Sequence, residues 1–365
     1  MKQVFLDRLE RAAEETASRD LDALVVSPSR DLAYLTGYDP MPLPRPTLLV
    51  LRTTRDPVML VPELERALAA ASPVGEHLEL VTWRDGSDPY EVAASLLTGA
   101  DRIAVADRLW ATHLLGLQSE LPGAAFSPAS LVMVRLRAVK DEHELGALRR
   151  AGRAADETFR QIVSMSFQGR SEEDVAHDLA ELLVRNGHDR ADFTIVASGP
   201  NGASPHHDPG GRTILPRDAV VMDFGGELGG YFSDTTRTVV VADPPEGFEH
   251  AYAAVQEAQA AAVDAVRPGL EAQEVDRAAR TIIDAAGYGE RFIHRTGHGI
   301  GLDLHEPPYM VEGDGTVLEH GMTFSVEPGI YLEGRFGIRI EDIVAVTADG
   351  VERLNRSTRD LQVVS

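Results

Sequence analysis

The sequence contains no cysteine. Disulfides, thiolate metal ligands and cysteine nucleophiles are therefore excluded, although this absence does not fix a compartment. No apolar stretch approaches the ~18–20 uninterrupted residues needed to span a bilayer. A continuous signal-peptide core is also missing, because the first residues read as an amphipathic helix with Phe5, Leu9 and Ala13 on one face. Positive charge is scarce: 35 lysines and arginines stand against 58 acidic residues, for a formal net charge of −23. Such a surface repels phosphate backbones and anionic lipid. Neither nucleic acid nor a membrane is expected as a partner, and a cytoplasmic location is expected. There is no GxSxG nucleophile elbow and no GxxxxGK[ST] phosphate loop. What is present is ample apolar material, 43% of 365 residues, enough for a core in each of two domains.

The first half alternates helix and strand in a βα-like manner. Strands are expected at Ala23–Val26, 47–51, 58–61 and 102–106, followed by a loose segment over 119–130 containing Pro122, Gly123 and Pro128. A domain boundary is placed just after it, near Leu131–Arg137, giving an α/β domain over 1–131 and a second domain over 132–365. The second opens with a long helix over about 141–165, then one over 171–186, N-capped by Ser171 and stopped by Gly187. A further helix pair spans 248–266 and 272–286, broken at Pro268-Gly269. Strand-like runs lie at 193–197, 219–224, 231–242, 323–326 and 337–346, so this half is expected to be α+β.

Acids occur inside apolar strands. Asp223 follows Val220-Val221-Met222, Glu327 follows Phe324-Ser325-Val326, and Glu341 lies within Ile338-Arg339-Ile340-Glu341-Asp342-Ile343. A carboxylate buried without a partner is costly and tends to protonate, so several in one domain suggest a shared cation. Asp223 and Asp234 flank a glycine-rich stretch, Gly225-Gly226-Glu227-Leu228-Gly229-Gly230. If a four-residue loop over 227–230 joins the two strands, Asp223 falls opposite Asp234, with Cβ atoms ~4.5–5.5 Å apart. Arg339 and Glu341, two apart in one strand, would share a face. His298 stands between Gly297 and Gly299, and His305-Glu306-Pro307-Pro308 follows. This is not the helical HExxH zinc motif, since two prolines follow. His206 and His207 lie in a loop rich in glycine, proline and serine, where a histidine on its own is ordinarily just solvated.

Together these residues resemble the methionine aminopeptidase/prolidase superfamily, the "pita-bread" metallopeptidases. The phrases GHGIGLDLHEPP, SVEPGIY and GIRIED, as they stand here, are jointly specific. Arg30-Asp31-Leu32-Ala33-Tyr34-Leu35-Thr36-Gly37-Tyr38 is similar to the signature of the extra N-terminal domain in the prolidase, aminopeptidase P and creatinase branch. The resemblance implies an α+β catalytic domain behind a creatinase-like α/β domain. It implies two divalent metal ions on Asp223, Asp234, His298, Glu327 and Glu341, with Asp234 and Glu341 bridging. A ligand set without thiolate favours Mn²⁺, with Co²⁺ or Fe²⁺ as alternatives, over Zn²⁺. Metal-free creatine hydrolysis is disfavoured, because that branch does not keep the ligands. Catalytic roles are implied for His206, His305 and Glu327, and substrate contacts for His294, Arg295 and Arg339, with His207 expected to matter far less than His206. The implied activity is hydrolysis of the Xaa-Pro bond in dipeptides by a homodimer. The alternatives are aminopeptidase P-like cleavage of longer peptides, a non-peptidase enzyme, and a peptide-binding pseudoenzyme.

Overall fold

The chain folds as two compact units that divide after Arg137, within a helix over Ser130–Ala138. The structure is a computed structural model and describes residues 2–365. No helix among the described residues is long and apolar enough to cross a membrane.

In the N-terminal unit six strands form one mixed sheet: β1 (Ala23–Val26), β2 (Leu48–Arg52), β3 (Arg55–Pro62), β4 (Glu79–Trp83), β5 (Arg102–Val105) and β6 (Ala125–Pro128). Their order is β4-β3-β2-β1-β5-β6. β1 is buried along its whole length, which is why it reads as a continuous apolar run and not as an alternation. The segment expected to be loose holds β6, paired in parallel with β5. Its Pro128 is tolerated because β6 is an edge strand, where a missing N–H leaves no ladder bond unmade.

The C-terminal unit is two helix pairs laid against sheets. The helix Glu142–Ile162 starts in a capping box. Asp141 accepts from the Glu144 amide at 2.9 Å, and Glu144 accepts from the Asp141 amide at 3.0 Å. Ser171 and Asp174 repeat the device at the start of Glu172–Arg185. These two helices bury Phe159, Leu179 and Leu183 against Val220, Met222 and Val239. Those last three lie in the four-stranded sheet formed by β7 (Arg190–Ser198), β8 (Ala219–Leu228), β9 (Tyr231–Val241) and a short C-terminal strand, Val363–Val364, parallel to β9. The second pair, Phe248–Ala265 and Ala272–Ala285, packs in a separate core with Phe324, Ile338 and Val344. Those residues belong to β12 (Thr323–Val326), β14 (Phe336–Arg339) and β15 (Asp342–Val346). β10 (Gly297–Gly299), β11 (Glu306–Met310) and β16 (Val351–Arg353) complete the sheet of β12 and β15, while β13 (Gly329–Leu332) pairs only with β14.

Two local expectations are corrected. The β8–β9 turn is Gly229-Gly230 alone, because Leu228 pairs with Tyr231. Both glycines are left-handed, with φ of +61° and +86°, as a two-residue turn matched to strand twist requires. Asp223 therefore lies opposite Thr236, and Asp234 opposite Gly225. The slip is two residues, so both aspartates keep one face and become diagonal neighbours. The run 337–346 is also not one strand. It breaks at Ile340-Glu341, because its first part belongs to the β13–β14 hairpin and its second to the β12–β15 pair.

Arg237 secures that break. Its guanidinium is buried and pairs with Asp342 at 2.6 Å. It also donates to the carbonyls of Thr236, Glu341, Ser357 and Thr358. Arg237→Met should strip buried Asp342 of its close cation, leaving it only Arg359 at 4.0 Å and the Gln259 amide at 3.2 Å, and cost on the order of 3–5 kcal/mol. Urea denaturation followed by circular dichroism measures this; a loss near zero would show that the buried pair is not what holds the break.

Candidate metal centre

β8 and β9 bring Asp223 and Asp234 to one face. β10 adds His298, the residue after β12 adds Glu327, and the break between β14 and β15 adds Glu341. Ligand atoms of Asp223, Asp234 and Glu341 all lie within 4.8 Å of one another. The same holds for His298, Glu327 and Glu341, and for Asp234, His298 and His305. His298 Nε2 is 3.3 Å from Glu327 and 3.6 Å from Asp234.

The imidazole is set up as a ligand. His298 Nδ1 faces the Gly299 carbonyl at 3.1 Å, so that nitrogen must carry the proton and Nε2 keeps its lone pair. Burial, followed by the neighbouring His305, lowers the His298 pKa to about 3 and keeps the ring neutral. The two rings lie 3.9 Å apart between centroids. Small neighbours are required here, since a Cβ on Gly297 would come within 1.8 Å of the Ser325 carbonyl oxygen.

The carboxylates are in conflict with their surroundings. Burial, then repulsion from Glu341, Asp223 and Glu327, raises the Asp234 carboxyl well above its ordinary value. Burial, then Glu327 and Asp223, does the same to Glu341. Glu327 is pushed up to about 7, chiefly by burial. Two buried oxygens, Asp223 Oδ1 and Glu341 Oε1, have no hydrogen-bond partner among the described residues. Orphaned acceptors beside mutually repelling carboxylates fit bound cations, which would satisfy both the lone pairs and the charge.

The remaining residues singled out in the sequence surround this centre. Arg339 donates to Asp223 at 2.6 Å and to the Tyr331 hydroxyl at 2.8 Å. His294 Nδ1 faces the Arg295 carbonyl and so carries the proton. The Tyr331 hydroxyl accordingly donates to His294 Nε2 at 2.8 Å. Burial, then the Arg339 charge, lowers His294 to about 4, with a smaller contribution from nearby His206. Burial, then Arg295, lowers His305, and His206 contributes there too. Arg295 lies over the Tyr309 ring, 4.3 Å from its centroid. Tyr331 and Thr236 were missed from sequence. Thr236 donates to Glu341 at 2.6 Å and accepts from Arg339 at 3.1 Å. Strand alternation after Asp234 could have found it. Tyr331 lay inside SVEPGIY but offered no charge to single it out.

Fold and centre together define a two-domain metallopeptidase, and the chain belongs to metallopeptidase family M24, which it matches over residues 146–348. Residues 8–139 match the creatinase/prolidase N-terminal domain. The chain is 45% identical over 365 residues to the probable dipeptidase PepE of Mycobacterium tuberculosis, covering 99% of this chain and 97% of that one. It is 35% identical to the Xaa-Pro dipeptidase of Lactobacillus helveticus, covering 98% of each. The crystal structure of dipeptidase PepE from Mycobacterium ulcerans superposes with a TM-score of 0.96 at 44% identity, over 100% of this chain and 98% of that one.

The raised carboxyls set a pH dependence. In the metal-free protein the native centre holds protons that the unfolded chain has already lost between the ordinary 4.5 and about 7. Its stability therefore falls as pH rises through that window. Divalent cations displace those protons and relieve the repulsion. The rise in Tm on adding Mn²⁺ to chelator-treated protein should be small at pH 5 and increase steadily to pH 7.5. Melting curves at both pH values decide this, and a pH-independent rise would contradict the coupled centre.

Proposed function

We propose that the protein hydrolyses the peptide bond between an amino acid and a following proline, in dipeptides. The observation that carries this reading is the clustering of four carboxylates and one imidazole beside His294, Arg295 and Arg339. The full-length likeness to enzymes named dipeptidase and Xaa-Pro dipeptidase supports it. Asp223, Asp234, His298, Glu327 and Glu341 would hold two divalent ions. The oxygen-rich set favours Mn²⁺, or Co²⁺ or Fe²⁺, over Zn²⁺. Once bound, such a pair supplies Lewis-acid polarisation and a nucleophile at neutral pH.

The chain's own groups do the rest. Glu327 accepts from the Ser325 hydroxyl at one oxygen. In this reading its other oxygen carries a proton toward the leaving proline nitrogen. His206 and His305 donate to the oxygen of the scissile carbonyl as charge develops there. Arg295, kept in place by Tyr309, and Arg339 are the cations for the substrate's C-terminal carboxylate, and recognition of that group is what restricts cleavage to dipeptides. A cytoplasmic homodimer is part of the same proposal.

With Mn²⁺, kcat/KM for Leu-Pro should exceed that for Leu-Pro-Gly by at least about tenfold, a difference of roughly 1.4 kcal/mol. Arg295→Ala should raise KM for the dipeptide and narrow that gap. Equal cleavage of both peptides by the wild type would replace this reading with an aminopeptidase P-like one. His206→Ala should keep its metal and lose roughly 10²–10³ in kcat, the usual effect of removing one oxyanion donor. Steady-state kinetics with metal analysis test it, and an unchanged kcat would remove His206 from the machinery.

A further inference from the structure

His206 is a puzzle in this arrangement. It is exposed and lies in a loop, and among the described residues no hydrogen bond holds its ring. A donor that must meet a developing charge needs a fixed position, so the position of His206 must be inherited from its neighbours.

Those neighbours converge on one buried carboxylate. Glu172, in the first turn of the helix Glu172–Arg185, is fully buried. Its Oε1 accepts from the Ser198 amide and the Ser198 hydroxyl, each at 2.7 Å, and from Asn201 Nδ2 at 3.0 Å. Its Oε2 accepts from Asn201 Nδ2 at 3.1 Å and from His207 Nε2 at 2.9 Å. One carboxylate therefore ties the end of β7, the turn Gly199–Ala203 and the histidine loop to a helix start. Burial alone would push the Glu172 carboxyl up, but the hydrogen bonds from Ser198, His207 and Asn201 outweigh it and hold the group below its ordinary range. The backbone adds two ties, from the Glu172 amide to Arg212 O and from the Glu173 amide to Gly210 O, both 3.1 Å. The base of the loop is also pressed against the strand that carries Arg339. A Cβ on Gly337 would come within 1.7 Å of the Gly202 carbonyl oxygen.

We propose that Glu172 and His207 are positioning residues for the reaction. Glu172 anchors His207, and His207 in turn fixes the loop so that His206 faces the metal centre. This rests on the peptidase reading above for the role of His206. His207 was expected from sequence to matter far less than its neighbour; on this proposal its bond to Glu172 acts through that neighbour.

Direct removal of Glu172 would leave several buried donors unsatisfied and threaten folding, so the test uses His207. His207→Ala should lower kcat for Leu-Pro by roughly 10- to 100-fold, with KM and metal content within about twofold of wild type. His207→Gln, which restores an N–H donor toward Glu172, should recover most of the loss. In a His206→Ala background, His207→Ala should cost less than about twofold, because its effect passes through a group already removed. Losses that multiply in the double variant would overturn the proposal. Hydrogen exchange on the metal-loaded, substrate-free protein supplies a second readout. Residues 199–209 should exchange roughly tenfold faster in His207→Ala, but not in His206→Ala. Unchanged exchange in His207→Ala would overturn the clamp whatever the substrate. A wild type that ignores Leu-Pro, with the exchange pattern as expected, would instead sink the peptidase reading and leave the clamp supported.

Discussion

Repulsion among buried carboxylates organises this molecule. Asp223 and Asp234 come from one sheet, Glu327 from the end of β12 in another and Glu341 from the break between β14 and β15, and they meet in a largely buried site. Nothing among the described residues neutralises them in full: Arg339 serves Asp223, Thr236 serves Glu341, and two oxygens have no hydrogen-bond partner. Such a cluster is costly as protein alone and becomes favourable only with cations. The apolar cores beneath each helix pair supply the stability that lets the conflict persist in the folded state.

Rigid support follows from the same constraint. Ligands that repel each other would drift apart on loose segments, so each is held from behind. Arg237 locks the Glu341–Asp342 break to β9 and to the C-terminal segment. Thr238 exchanges hydrogen bonds with the backbone of Arg339, at 3.0 Å in each direction. Asp276 takes the Thr296 amide and hydroxyl two residues before His298. The proposed Glu172 clamp is the same device applied to a loop. In each case a polar side chain hydrogen-bonded to distant backbone fixes segments beside the site.

Much of this was legible in the sequence because it depends on local pattern. The acids in apolar strands, the glycines around His298 and the capping residue Ser171 are one-dimensional signals with direct physical meaning. The hairpin between Asp223 and Asp234 was legible as a hairpin, but its register was not. The number of residues in the turn depends on whether Gly229 and Gly230 alone can reverse the chain, and their left-handed conformations settle that only in the folded strand pair. Because the error was two residues, the shared face survived it.

The sequence by itself determined the kinds of donor, their order along the chain and the faces on which strand alternation places them, since these follow from residue chemistry and period. Only the tertiary structure decided which groups touch. It broke the run 337–346 so that one part serves a hairpin and the other a sheet, with Glu341 at the gap. It linked Tyr331 to His294 and Arg339, and gave His207 a buried partner 35 residues earlier in the chain. Pairings of that kind come from the packing of helices and sheets against each other, and such contacts between distant segments leave no periodic trace in the sequence.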